Sequence, residues 1–163
     1  MYLIFFVILI VLIVATKIYM STQEKIKALK EAKSKANLEA GAAYMVENAL
    51  KEGVFYPEIG FQYEILKEGN GEKPGPRSKV TCHYHGTTTT GVVFDSSVQR
   101  GKPSTFPLNQ VISGWTIALQ MMPVGSKWRL VLPPHLAYGN DTISAEIGPN
   151  STLIFEVELI SFT

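Results

Sequence analysis

The sequence predicts an α+β domain of antiparallel strands with one short helix against a sheet face, carried behind a long helical N-terminal region. Three observations predict it. The first twenty residues, "MYLIFFVILIVLIVATKIYM", are apolar and carry no side-chain charge before Lys17. From Phe55 onward the hydrophobic pattern changes from helical spacing to period two, broken by turn residues. One short apolar stretch at helical spacing, "VISGWTIALQMM", lies among the strands.

The elements follow in order. Residues 1–20 are about long enough to cross ~30 Å of hydrocarbon as a helix, and no polar face marks them as a core helix. They are expected to be a transmembrane anchor or a signal segment, although the basic start and A-x-A spacing of a signal peptide are not evident. Lys17, Lys25, Lys27 and Lys30 follow. Taken alone, the positive-inside rule places the next domain in the cytoplasm. One such segment leaves the membrane face open, so the expectation is a single-pass membrane protein.

Residues 21–53 predict a polar stalk helix. Ser21 and Glu24 have capping-box spacing. Glu31 with Lys35 and Glu47 with Lys51 stand at i,i+4 in the favourable order, and Gly53 suits a stop. The apolar stripe is thin: Ile26, Leu29, Ala36, Ala40 and Ala43. A strong coiled coil needs larger residues over several heptads, so the stalk predicts a monomer or a weak dimer.

Residues 54–163 predict the folded domain. "GFQYEILKEGNGEKPGPRSKV" reads as a strand, a Gly-Asn-Gly turn and a Pro/Gly-rich loop. In "KVTCHYHG" Val80, Cys82 and Tyr84 share one face, and Thr81, His83 and His85 the other. "TTTTG" turns the chain into "VVFDSS". The helix "VISGWTIALQMM" is ended by Pro123 and Gly125. "SKWRLVL" is a strand stopped by Pro133 and Pro134, and "STLIFEVELISF" turns Leu153, Phe155, Val157 and Leu159 inward.

Composition narrows the function. Lys and Arg total 15 and Asp and Glu 14, a net charge of +1, so no basic field calls for nucleic acid. Cys82 is the single cysteine, so neither an internal disulfide nor a multi-cysteine metal knuckle can form. His83 and His85 point the same way along a strand, as some metal ligands do. No acidic residue has matching spacing, and no metal site is expected. Ser96 and Ser97 lack a G-x-S-x-G turn and an ordered base, so a polar turn bonding nearby backbone is the preferred reading. "GNGEKPG" lacks the lysine and helix start of a phosphate loop. What remains is aromatic. Tyr84, Phe94, Trp115, Tyr138 and Phe155 sit near the ends of separate elements. Buried tyrosine and tryptophan tips seek partners, and Asp95, fixed beside Phe94, is costly to bury alone. An apolar pocket with a few polar groups is the form of a ligand site.

The motifs "VTCHYHG", "GVVFDSS", "VISGWTIALQMMPVGSKW", "LAYG" and "IGPNSTLIFEVEL" occur in this order over residues 54–163. With them the chain resembles the FKBP-type peptidyl-prolyl cis-trans isomerases. "FPLNQVISGW" and "IGPN" behind a helix are most similar to the bacterial macrophage-infectivity-potentiator branch. The resemblance implies a twisted antiparallel half-barrel wrapped on one short helix. It implies catalytic roles for Tyr84, Phe94, Asp95 and Tyr138, and substrate-binding roles for Arg100, Val111, Ile112, Trp115, Ile147 and Phe155. It implies proline-containing polypeptide substrates, macrolide inhibitors as ligands, and no cofactor. Ser104 stands where the family commonly has an aromatic after "KP". Ile143 and Glu146 stand where better-known members carry a histidine and an apolar residue. These departures bear on inhibitor affinity and substrate preference. A proline-peptide-binding module with little turnover and a membrane-tethered chaperone are the alternatives.

Overall fold

The computed structural model describes residues 2–163, with side chains from Phe6 onward; Met1 of the expected anchor lies outside them. One helix, α1 (Tyr2–Asn48), replaces the two expected. Ser21 does not cap a second start, because nothing stops the first. The chain has no proline before Pro57 and no glycine before Gly41, and the Thr22 hydroxyl donates back to the Ile18 carbonyl at 2.8 Å within the helix. Two compact units divide the chain, the first ending at Lys33 and the second comprising Ser34–Thr163. In the first, the apolar side chains from Phe6 to Val14 are all exposed. The i,i+4 ion pairs run Lys27–Glu31 and Lys35–Glu39, each 3.9 Å and well solvated, rather than in the expected pairs. Such exposed pairs contribute at most about 1 kcal/mol.

The second unit holds seven strands: β1 (Val54–Phe55), β2 (Gln62–Lys67), β3 (Lys79–Thr88), β4 (Val93–Ser96), β5 (Ser104–Pro107), β6 (Lys127–Leu132) and β7 (Leu153–Phe162). They form one antiparallel sheet in the order β1-β2-β6-β7-β3-β4, with β5 pairing β3 beyond β4. The helix α2 (Ser113–Met121) covers the buried sheet face. The alternation read in β3 and β7 is the alternation observed: Val80, Cys82 and Tyr84, and Leu153, Phe155, Val157 and Leu159, are all buried. Trp115, Ala118 and Leu119 of α2 join them with Leu130 and Leu132 of β6 in one core. At about 1.5–3 kcal/mol for each large apolar side chain removed from water, this core is the main term holding the half-barrel on its helix.

The end of α1 is no free stalk. Ser34, Asn37, Gly41, Tyr44, Met45 and Asn48 are buried or half-buried, at helical spacing, whereas Ala36, Ala40 and Ala43 of the expected stripe are exposed. Asn48 donates to Gln62 Oε1 at 2.9 Å, Gln62 donates to the Met45 carbonyl at 2.7 Å, and Arg129 donates to the Tyr44 hydroxyl at 3.0 Å. Most of the packed face is polar or small, with Tyr44 and Met45 the exceptions, which is why a search for an apolar stripe passes over it.

Candidate functional site

A short register fault builds the site. Along β3 and β4, Gly86 pairs with Asp95 and Thr87 with Val93, which leaves Phe94 as an extra residue. Such a bulge re-aims side chains. In a regular strand Phe94 and Asp95 would face opposite sides; here both line one cavity of about 450 Å³. Gly86 makes the room, since a Cβ there would stand 2.7 Å from the Phe94 ring.

Nine of the ten expected residues meet in this cavity: Tyr84, Phe94, Asp95, Val111, Ile112, Trp115, Tyr138, Ile147 and Phe155. Arg100 does not line it. Phe106, Gln110, Ile143 and Ser144 also line it; of these the sequence singled out only Ile143, as a departure from the family, and gave it no site role. Phe106 was legible in principle: it lies two residues after Ser104 on β5 and so on the same face.

The floor is aromatic. Trp115 is 4% exposed. The rings of Tyr84 and Phe155 stand edge-on to it at 5.3 Å, and that of Phe106 at 5.9 Å. Phe94 stands edge-on to Phe155 at 5.5 Å. Perpendicular rings at these distances satisfy one another's quadrupoles and shape an apolar recess. The expectation that buried tryptophan tips find partners is not met: the indole nitrogens of Trp115 and Trp128 are buried without one among the described residues.

Polar groups gather at one side. The Tyr84 hydroxyl donates to Asp95 Oδ2 at 2.5 Å, and Arg100 Nη1 pairs with Asp95 Oδ1. Arg100 Nη2 donates to the Tyr84 hydroxyl at 2.8 Å and to Ser104 Oγ at 3.4 Å, and its guanidinium lies 5.5 Å from the centre of the Tyr84 ring. Burial works against ionising Asp95, but the hydrogen bonds from Tyr84 and Arg100, with the guanidinium charge, hold its carboxyl below the usual range. Burial, then the bond to Asp95, pushes the Tyr84 phenol up. The Tyr138 phenol is pushed up by burial and by the Asp95 charge, so it stays a protonated donor at neutral pH. Ile112 caps α2 with no side-chain hydrogen bond, so the opening of that helix brings backbone donors to the cavity's residues. The arrangement can seat an apolar ring and direct donors and one fixed negative charge at the polar atoms beside it.

The serines behave as a structural turn. Ser97 Oγ accepts from the Tyr84 N–H at 2.8 Å, and Ser96 Oγ from the Gln99 N–H at 3.2 Å. Their hydroxyls also meet His83 Nδ1 and His85 Nδ1, each at 3.0 Å. This network holds the chain just after Asp95.

Comparison with known proteins bears on this cavity. Residues 70–160 match the family described as FKBP-type peptidyl-prolyl cis-trans isomerase, and residues 13–65 the domain amino terminal to it. The chain is 47% identical over 137 residues to the FKBP-type 22 kDa peptidyl-prolyl cis-trans isomerase of Escherichia coli, covering 84% of this chain and 66% of that one. It is 47% identical over 129 residues to the outer membrane protein MIP of Legionella longbeachae, covering 79% and 55%. The crystal structure of FkpA from Escherichia coli superposes with a TM-score of 0.83 at 36% identity, covering 90% of this chain and 70% of that one. The chain thus spans between about half and two-thirds of the length of these curated relatives. The match to the isomerase family covers more than half of the chain and takes in the whole of β3, β4, β5, α2 and β6, the elements that set Trp115 beneath Phe94 and Asp95. The chain belongs to the FKBP-type peptidyl-prolyl cis-trans isomerase family.

Proposed function

We propose that this chain accelerates cis–trans rotation about X–Pro bonds in polypeptides, without covalent chemistry. The observation that carries the proposal is the recess floored by Trp115 with Asp95 and the Tyr138 hydroxyl at its rim. Resonance gives the X–Pro C–N bond double-bond character and a barrier of ~18–20 kcal/mol. Rotation breaks no bond, so it calls for no nucleophile or cofactor. It calls for a site that binds the twisted amide better than either planar form.

The proline ring sits on Trp115, between Phe94 and Phe155. Water stabilises the charge separation of the planar amide, and a dry recess withdraws that support as the carbonyl enters. The Tyr138 hydroxyl and the Ile112 N–H donate to substrate carbonyls. Asp95, held by Tyr84 and Arg100, supplies a fixed charge beside the rotating bond. A barrier lowered by ~4 kcal/mol is about a thousandfold acceleration.

Residues 1–20 anchor the domain to a membrane, where its substrates are proline-containing chains in the course of folding. The exposed apolar run of α1, long and apolar enough to cross a membrane, supports this reading. Macrolide inhibitors occupy the same recess, with Ser104, Ile143 and Glu146 setting their affinity, and the stalk allows a monomer or a weak dimer.

The experiment is isomerisation of a short X–Pro peptide by the full chain in detergent, alone and as Asp95→Leu, with near-ultraviolet circular dichroism as the check on folding. Clear acceleration that drops in a folded Asp95→Leu supports the proposal. Saturable peptide binding without acceleration would make the chain a proline-binding module. Equal rates in the two proteins would remove Asp95 from the mechanism.

A further inference from the structure

The cavity has one wall made by a loop. Residues 139–150 carry Ile143, Ser144 and Ile147, which line the recess, and Tyr138 stands at the loop's start. Within the loop, the Ile143 N–H donates to the Ile147 carbonyl at 3.0 Å, and Ser144 Oγ accepts from the Ile147 N–H at 3.1 Å. The neck is closed by the Asn150 N–H, which donates to the Gly139 carbonyl at 2.7 Å. Asn150 has φ 55°, the left-handed region, and is the one non-glycine residue with positive φ among those described. A side chain there is strained unless its surroundings hold it.

The surroundings that hold it belong to α1. Asn150 Nδ2 donates to Ser34 Oγ at 2.8 Å, and Ser34 Oγ lies 3.4 Å from Asn140 Oδ1. One turn on, Asn37 Nδ2 donates to the Pro149 carbonyl at 2.8 Å. A further turn on, Gly41 packs so closely on Thr152 that a Cβ would overlap its hydroxyl. These three positions share one helical face, and together they grip both ends of the wall loop. None of them touches the cavity.

We infer that this face of α1 sets the position of the cavity wall, so that Ser34 and Asn37 are positioning residues for substrate recognition, acting through Asn150 and Pro149. The inference rests on the isomerase reading of the cavity. Ile143 and Ser144 line the same recess as Trp115, so on that reading a peptide with its proline on Trp115 brings a neighbouring side chain within reach of this wall. A wall held in one place discriminates among side chains at that position; a loosened wall does so less. The helix that carries the apolar N-terminal run thereby also tunes which X–Pro sequences the domain accepts.

The test uses the full chain and three variants. Asn150→Gly keeps the left-handed backbone without strain and deletes only the side-chain tether. Ser34→Ala removes the acceptor from the helix side, and Ser34→Thr restores a hydroxyl. Two quantities are read: amide hydrogen exchange at Ile143 and Ile147, and the ratio of kcat/KM for Leu–Pro against Ala–Pro peptides. Losing one such hydrogen bond should speed exchange about three- to tenfold and change the peptide ratio by about threefold. Asn150→Gly and Ser34→Ala should both show this, and Ser34→Thr should return to the parent values. Unchanged exchange and an unchanged ratio in both tether variants would overturn the inference, as would failure of Ser34→Thr to restore them. If the parent chain accelerates no peptide, the isomerase reading falls, yet the exchange measurement still decides whether α1 holds the wall.

Discussion

Gly86→Ala adds one methyl group at the point where the site is built. Gly86 lies in β3, opposite Asp95 on one side and Phe155 on the other. Its backbone is not left-handed, so alanine suits the strand. Space is the obstacle. The new Cβ would lie 2.7 Å from two carbons of the Phe94 ring and 3.1 Å from one of Phe155. Carbons rest at about 3.5–4.0 Å, so the Phe94 ring must retreat by roughly 0.8 Å. Phe155 is wedged against Trp115 and cannot yield as far. Phe94 is half-buried with the cavity before it, so it moves into the recess proposed to seat the proline. Losing the glycine's unfolded-state freedom gains about 0.4–1 kcal/mol, whereas overpacking costs about 1–3 kcal/mol. The net is a stability loss of about 1 kcal/mol. A wall ring displaced by about an ångström should cost about ten- to a hundredfold in kcat/KM. The assays are X–Pro peptide isomerisation and urea unfolding of the same preparation. A variant within twofold of the parent in kcat/KM, but less stable, would refute the placement of Phe94 as a working wall.

Two further expectations concern pH. The ionisable residues lining the recess are Tyr84, Asp95 and Tyr138. Asp95 is shifted down and both phenols up, so kcat/KM should be flat from about pH 5 to about pH 9; a step within that range would place another titrating group in the mechanism. Because Asp95 has a lowered folded pKa, its contribution to stability is present above the unfolded value near 3.8 and is lost as pH falls through the folded one. Asp95→Asn should therefore flatten the acid limb of an unfolding curve. The Cys82 thiol is buried and pushed from 9.0 to about 12 by that burial. Its contribution is whole below pH 9.0 and declines as pH rises toward about 12. Cys82→Ala should lack that decline, and a thiol reagent at pH 8 should label the native chain only at the rate at which the core opens.

Much of this fold was legible because burial wrote itself as a period. In β3 Val80, Cys82 and Tyr84 alternate with half-buried polar residues and are all buried; in β7 Leu153, Phe155, Val157 and Leu159 are likewise all buried, on one face. The short helix was legible because proline and glycine follow its last turn. The features that escaped share a cause: each is set by contact with something distant in sequence. The packing face of α1 includes Ser34, Asn37, Gly41 and Asn48, polar or small, and their partners Asn150, Pro149, Thr152 and Gln62 are all distant in sequence from them or on another element. β5 is four residues long and exists because β3 has an open edge beyond β4. The bulge at Phe94 leaves no sign in "VVFDSS", yet it is what brings a ring and a carboxylate adjacent in sequence into the same recess.

The polar cluster follows a different logic from the core around it. The Asp95 and Arg100 side chains are 44% and 49% exposed, and a pair so solvated adds little to stability. Its value lies in orientation. Both carboxylate oxygens are engaged, Oδ2 by the Tyr84 hydroxyl and Oδ1 by Arg100. Asp95 is thus neither a free base nor a free acceptor, and its lowered pKa sets it against taking a proton. In the proposed mechanism it offers the substrate a charge fixed in place at the cavity wall, where an amide losing its planarity changes its own charge distribution. Arg100, which sequence reasoning placed against substrate, stands behind that charge and holds it. The proposed rotation needs no group to react. It needs groups that do not move while the substrate does, and this side of the cavity is built of residues whose hydrogen bonds are already spent on one another.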